Sequence, residues 1–89
     1  MVVVKLFGGL RRAAGASTLT VDGDTVRTVL NALCADNAKL RTALLDGDAL
    51  HPQVRVMVDG RDIELMAGLD TPLSSDDQVA IFPPIAGGE

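Results

Sequence analysis

Apolar residues recur along this chain in two rhythms, and each rhythm predicts an element. Residues 2–7, VVVKLF, are apolar and β-branched and predict a strand. Its alternation puts Val2, Val4 and Leu6 on one face and Val3, Lys5 and Phe7 on the other. The stretch GGLRRAAG that follows is bounded by glycines and reads as a loop. STLTVDG then alternates Leu19 and Val21 against Thr18, Thr20 and Asp22, which predicts a second strand paired with the first as a hairpin. From Val26 the rhythm changes. Val26, Val29, Leu30, Leu33 and Cys34 fall at i, i+3, i+4, i+7 and i+8, one apolar stripe of a helix capped by Asp24 or Thr25.

The stretch DNAK interrupts that stripe, and Leu40, Leu44 and Leu45 predict a short second helix ended by DGD. His51 precedes Pro52 and so belongs to a loop. VRVMVDGRDIEL reads as strand, Asp-Gly turn and short strand, with Val54, Val56 and Val58 inward and Arg55, Met57 and Asp59 outward. AGLDTPLSSDD is rich in turn residues, with a short extended piece around Leu69. QVAIF is the last strand, with Val79 and Ile81 inward and Ala80 and Phe82 outward. The order is strand, strand, helix, strand, short strand, strand. It fits an α+β, β-grasp arrangement: a mixed sheet, its first and last strands side by side at the centre, with one main helix packed on one face. Residues 1–82 form that domain, and residues 83–89 an extended tail.

Composition narrows the function. With 47% hydrophobic and 22% charged residues, the 89-residue chain is globular in character and of single-domain size. No apolar run approaches the roughly 20 residues that span a bilayer. MVVVKLF is too short and wrongly flanked for a signal peptide, so the expected location is the cytoplasm, with no membrane partner. The net charge is −4 and the sequence contains no Trp or Tyr, so neither the basic stripe nor the stacking rings of a nucleic-acid binder are present. One cysteine and one histidine exclude a disulfide framework and a multi-thiolate zinc site, and leave little for acid–base chemistry. The balance points to a carrier or partner, not an enzyme. Cys34 sits on the apolar stripe and reads as core, not nucleophile.

Two stretches resemble a known family. FGGLRRAAG after the first strand, and LSSDDQVAIFPPIAGG near the end, are similar to the sulfur carriers of the MoaD/ThiS family. The Pro83-Pro84 pair, the first loop and the longer helical middle match the MoaD-like members better. The resemblance implies a ubiquitin-like β-grasp fold and a non-enzymatic role as the small subunit of molybdopterin synthase. In such proteins a MoeB/ThiF-like adenylating enzyme, using ATP and magnesium that the carrier itself does not bind, makes an acyl-adenylate at the terminal glycine. A sulfur donor converts that adenylate to a thiocarboxylate, which an acceptor such as the large subunit of molybdopterin synthase consumes. By the motif, Gly88 bears the activated group and Gly87 sits beside it. Glu89 departs from the pattern, because it holds the Gly88 carboxyl in a peptide bond. Removal by a metallopeptidase, as in members with extra terminal residues, is the expected remedy. Carriers for cysteine, thiamine or tRNA thiolation, a protein modifier joined to lysines, and a plain interaction module remain alternatives.

The chemistry of the tail agrees with that implication. A carboxylate that must reach ATP inside another protein needs a thin arm. Pro83 and Pro84 favour an extended polyproline II path, so residues 83–88 would reach roughly 18–20 Å at about 3.1 Å per residue. The glycines let another backbone approach closely. Phe7 and Phe82 are the chain's two aromatic residues and share outward parity with Met57. An apolar cluster on a solvent face at the root of the tail marks a partner site, rimmed by Lys5 and Arg55. Pro83, Pro84 and Ile85 extend it along the tail.

Overall fold

The computed structural model describes residues 1–35 and 37–83. Pro84, Ile85, Gly87, Gly88 and Glu89, to which the sequence assigns roles, lie outside the described residues. Alternating residues form β1 (Val2–Leu6), which pairs antiparallel with β2 (Thr18–Val21) through a register that sets Val4 against Leu19. The last strand, Gln78–Phe82 and here β7, runs parallel to β1, with Val4 beside Val79 and Leu6 beside Ile81. β5 (Arg55–Val58) closes on the other side of β7, antiparallel, and carries the short β6 (Arg61–Asp62). The sheet order is β2-β1-β7-β5-β6, mixed, with the first and last strands at its centre as expected.

The β5–β6 hairpin turns through Asp59 and Gly60, both at positive φ (51° and 85°), as a two-residue turn of the primed type requires. Asp59 also ties the hairpin to β7: its carboxylate accepts from the Gln78 N–H at 2.9 Å, and its own N–H donates to the Gln78 carbonyl at 2.9 Å.

One face of the sheet is covered by helices. α2 (Val26–Cys34) starts at Thr25, whose Oγ1 accepts from the Thr28 N–H at 3.2 Å. Its predicted stripe, Val26, Val29, Leu30, Leu33 and Cys34, is buried throughout. α3 (Ala38–Leu44) starts at Asn37, which accepts from the Leu40 N–H at 3.0 Å and donates to the Ala13 carbonyl at 2.7 Å. These helices bury Leu30, Leu40 and Leu44 in one core with Val2, Val4, Leu6, Val56, Val79 and Ile81 from the sheet. Each such side chain contributes about 1.5–3 kcal/mol as an upper bound.

Three local readings need correction. The glycine-bounded loop contains a helix, α1 (Leu10–Ala14), because Leu10 is 2% exposed and Ala13 and Ala14 pack on the core beside it. Burial of that short stripe outweighs the flanking glycines. Leu45 leaves the second helix and joins a tiny hairpin, β3 (Leu45–Asp46) with β4 (Ala49–Leu50), turning at Gly47 with φ +67°. The expected extended piece at Leu69 is a 3-10 turn, Gly68–Asp70. Buried Thr71 closes it, donating through Oγ1 to the Gly68 carbonyl at 2.7 Å and accepting from the Ala67 N–H at 3.2 Å.

Candidate functional site at the root of the tail

β1 and β7 are parallel and leave the sheet at the same end. The last backbone rung between them is the Phe7 N–H donating to the Ile81 carbonyl at 3.2 Å. Beyond that rung Phe7 and Phe82 stack, with ring centroids 4.5 Å apart and planes 9° from parallel. Parity had placed both rings outward, and the parallel pairing sets them side by side. Phe7 is 39% exposed, an unusual condition for a phenylalanine in a chain with so few rings. The helical layer lies on the other face, so the pair is not part of the main core.

The same outward face carries Val3, Ala80 and Met57, all partly buried. Arg55 pairs with Phe82, and Met57 with Ala80, so Met57 is the diagonal neighbour of the Phe82 ring. Lys5, paired with Ala80 on the other side, is exposed. Arg55 is exposed too and donates to Glu64 Oε2 at 2.8 Å, an ion pair in water that contributes little to stability. The expected patch of Phe7, Met57 and Phe82 with a rim of Lys5 and Arg55 is therefore contiguous on one face.

Pro83 continues β7 and lies against the turn after β1. Gly8 there has φ +60°, and a Cβ on it would fall 2.7 Å from Pro83 Cγ. Sequence reading missed this contact, although Gly8 directly follows Phe7 as Pro83 follows Phe82. Gly8 also lines an open groove, with Gly9, Arg11, Arg12, Gly15 and Ser17. Helix α1 sets the two arginines on that rim.

Little in this constellation is reactive. Among the described residues, no three His, Cys, Asp or Glu side chains are grouped to hold a metal ion. The thiol of Cys34 is buried in the core, and that desolvation raises its pKa against a weaker opposing effect of Arg41. A thiol kept protonated and enclosed is no nucleophile. Among the described residues, no helix is long and apolar enough to cross a membrane.

Comparison with known proteins gives this geometry a family. The ThiS family matches residues 4–88, a span that includes the diglycine. The chain is 34% identical over 88 residues to small archaeal modifier protein 3 of Haloferax volcanii, covering 96% of each chain. It is 30% identical over 90 residues to the molybdopterin synthase sulfur carrier subunit of Escherichia coli, covering 99% of this chain and 100% of that one. A chain in the crystal structure of the Amycolatopsis orientalis BexX/CysO complex superposes with a TM-score of 0.88 at 26% identity, over 99% of this chain and 100% of that one. The chain belongs to the ThiS family, the ubiquitin-like β-grasp proteins that serve as sulfur carriers and modifiers.

Proposed function

We propose that this protein is a sulfur carrier whose working group is a thiocarboxylate on Gly88. One observation carries the reading: a stacked aromatic pair, Phe7 exposed and Phe82 half-buried, stands where the chain leaves the central strand, five positions in sequence before the Gly87-Gly88 pair. A rigid apolar grip beside a carboxyl-bearing tail is what an activating enzyme needs to hold the body while the end reaches its ATP. Phe7, Met57 and Phe82 form the grip, Lys5 and Arg55 its charged rim, and Pro83, Pro84 and Ile85 the start of the arm.

Glu89 must first be hydrolysed from Gly88, the task of a metallopeptidase. The freed carboxylate then attacks the α-phosphorus of ATP on a MoeB/ThiF-like enzyme, and pyrophosphate leaves. A sulfur nucleophile attacks the acyl carbon, AMP departs, and the thiocarboxylate remains. The carrier supplies the carboxyl group and the docking surface, and other proteins supply the reactive side chains, ATP and magnesium.

The E. coli relative favours the large subunit of molybdopterin synthase as the acceptor, with this chain as its small subunit. Cysteine, thiamine and tRNA thiolation use the same chemistry with other acceptors. The Haloferax relative, a modifier by name, favours a second reading in which Gly88 is joined to lysines of target proteins. Mass spectrometry tests the common step. A chain ending at Gly88, given the adenylating enzyme, ATP and sulfide, should gain the mass of one sulfur exchanged for one oxygen, while the chain ending at Glu89 should not change. Absence of that gain ends the carrier reading. Blots that reveal high-mass conjugates bearing this chain would favour the modifier.

A further inference from the structure

We infer that Gly8 is a positioning residue for the tail: with Phe7, Phe82 and Pro83 it forms a clasp that fixes the heading of the chain at Pro83. The inference rests on the carrier reading and deepens it, since a carrier works only if its end arrives in the right place.

Three contacts meet where β1 and β7 leave the sheet. The Phe7 N–H to Ile81 carbonyl bond is the last rung, at 3.2 Å. The two rings stack above it at 4.5 Å. Next, the Pro83 ring occupies the space that a side chain on Gly8 would take, with Cγ 2.7 Å and Cδ 3.4 Å from the position of a Cβ. Gly8 is held to glycine twice over, by this contact and by φ +60°, a region costly for residues with a Cβ. Proline has no rotamer into which it can swing away, only a change of ring pucker, and its ring locks φ. A side chain on Gly8 would therefore push the chain at Pro83 away from its present course. Reactive groups misplaced by about 1 Å can lose on the order of a hundred-fold in rate, so the heading at Pro83, the last residue described before Gly88, bears on the reaction. Gly8 touches no reactant and acts only through Pro83.

Gly15 provides the control. It too has positive φ, +77°, but nothing lies within 4 Å of its Cβ position, so Gly15→Ala carries the backbone penalty without the collision. Chains ending at Gly88 should be compared in ATP–pyrophosphate exchange on a MoeB/ThiF-like enzyme: wild type, Gly8→Ala, Gly15→Ala, Pro83→Ala, and Gly8→Ala with Pro83→Ala. Both variants should lower the melting temperature, Gly8→Ala by at least as much as Gly15→Ala because it adds the collision to the same backbone penalty. Only Gly8→Ala should raise the KM for the carrier, on the order of ten-fold, and adding Pro83→Ala should reverse most of that rise because Cγ and Cδ are gone. Equal KM values for Gly8→Ala and Gly15→Ala, or purely additive effects in the double variant, would overturn the inference. On the full chain alone, a nuclear Overhauser cross-peak between Gly8 Hα and Pro83 Hγ is expected, and its absence overturns the clasp directly. Failure of exchange even with wild type would instead overturn the carrier reading, and the cross-peak would then decide by itself whether the clasp exists.

Discussion

The two faces of one sheet are built from different residues and under different constraints. On the inner face Val4, Val56, Val79 and Ile81 are fully enclosed. On the outer face of the same strands Val3, Met57, Ala80 and Phe82 are only partly buried, and Phe7 is more exposed still. The inner face uses small, stiff aliphatic side chains that fill a thin core closely. Both of the chain's aromatic side chains, its largest apolar groups, stand on the outer face, where they add least to folding. A core without aromatics beside a half-buried ring pair on the outer face is the contrast that the proposed docking role would explain.

The comparison can be broken by unequal substitutions. Ile81→Ala, on the inner face, should cost about 2–5 kcal/mol in urea unfolding, a large share of what a domain of this size possesses. Phe82→Ala, next to it in sequence and facing outward, should cost clearly less, about 1–2 kcal/mol from the lost stacking and the ring's partial burial. A cost for Phe82→Ala equal to that of Ile81→Ala would place the ring in the core and remove the contrast.

Cys34 offers an internal probe of the inner side. Its thiol is buried and its pKa raised, so alkylation at neutral pH should proceed only through opening of the core. Alkylation should be accelerated strongly by Ile81→Ala and little by Phe82→Ala. Rapid labelling of the wild type would contradict the enclosure of α2 against the sheet.

The smallest effect concerns the turn that feeds β7, the strand common to both faces. Asp77 is held below the ordinary carboxylate range, chiefly by the Ser74 N–H that its Oδ2 accepts at 2.9 Å. A depressed folded pKa gives stability that is fully present above the unfolded value of about 3.9 and is lost as pH falls through the folded value. Thermal melts between neutral pH and acid should therefore show a slightly smaller acid-induced loss in Asp77→Asn than in wild type. An identical acid slope would mean that this carboxylate does not secure the turn.

Much of this arrangement was legible in the residues. Alternation in VVVKLF and QVAIF fixed which side chains point inward, and so placed Phe7, Met57 and Phe82 on one face. The stripe from Val26 to Cys34 and the Asp59-Gly60 turn were equally plain. What escaped depends on contacts between distant segments. Helix α1 is too short for its Leu10, Ala13 and Ala14 stripe to stand out between glycines, and only burial stabilises it. Leu45 continues a helical spacing but is drawn into a hairpin by its pairing with Leu50. The Gly8–Pro83 contact joins the two ends of the chain, and no local pattern encodes it.

The most direct test of the division between the faces is the KM of the carrier in adenylation for Phe7→Ala, measured beside its melting curve. The account predicts a still cooperative melt, lowered by no more than about 10 °C, together with a KM raised on the order of ten-fold, the loss of a central anchor. A wild-type KM in a fully folded Phe7→Ala protein would contradict it.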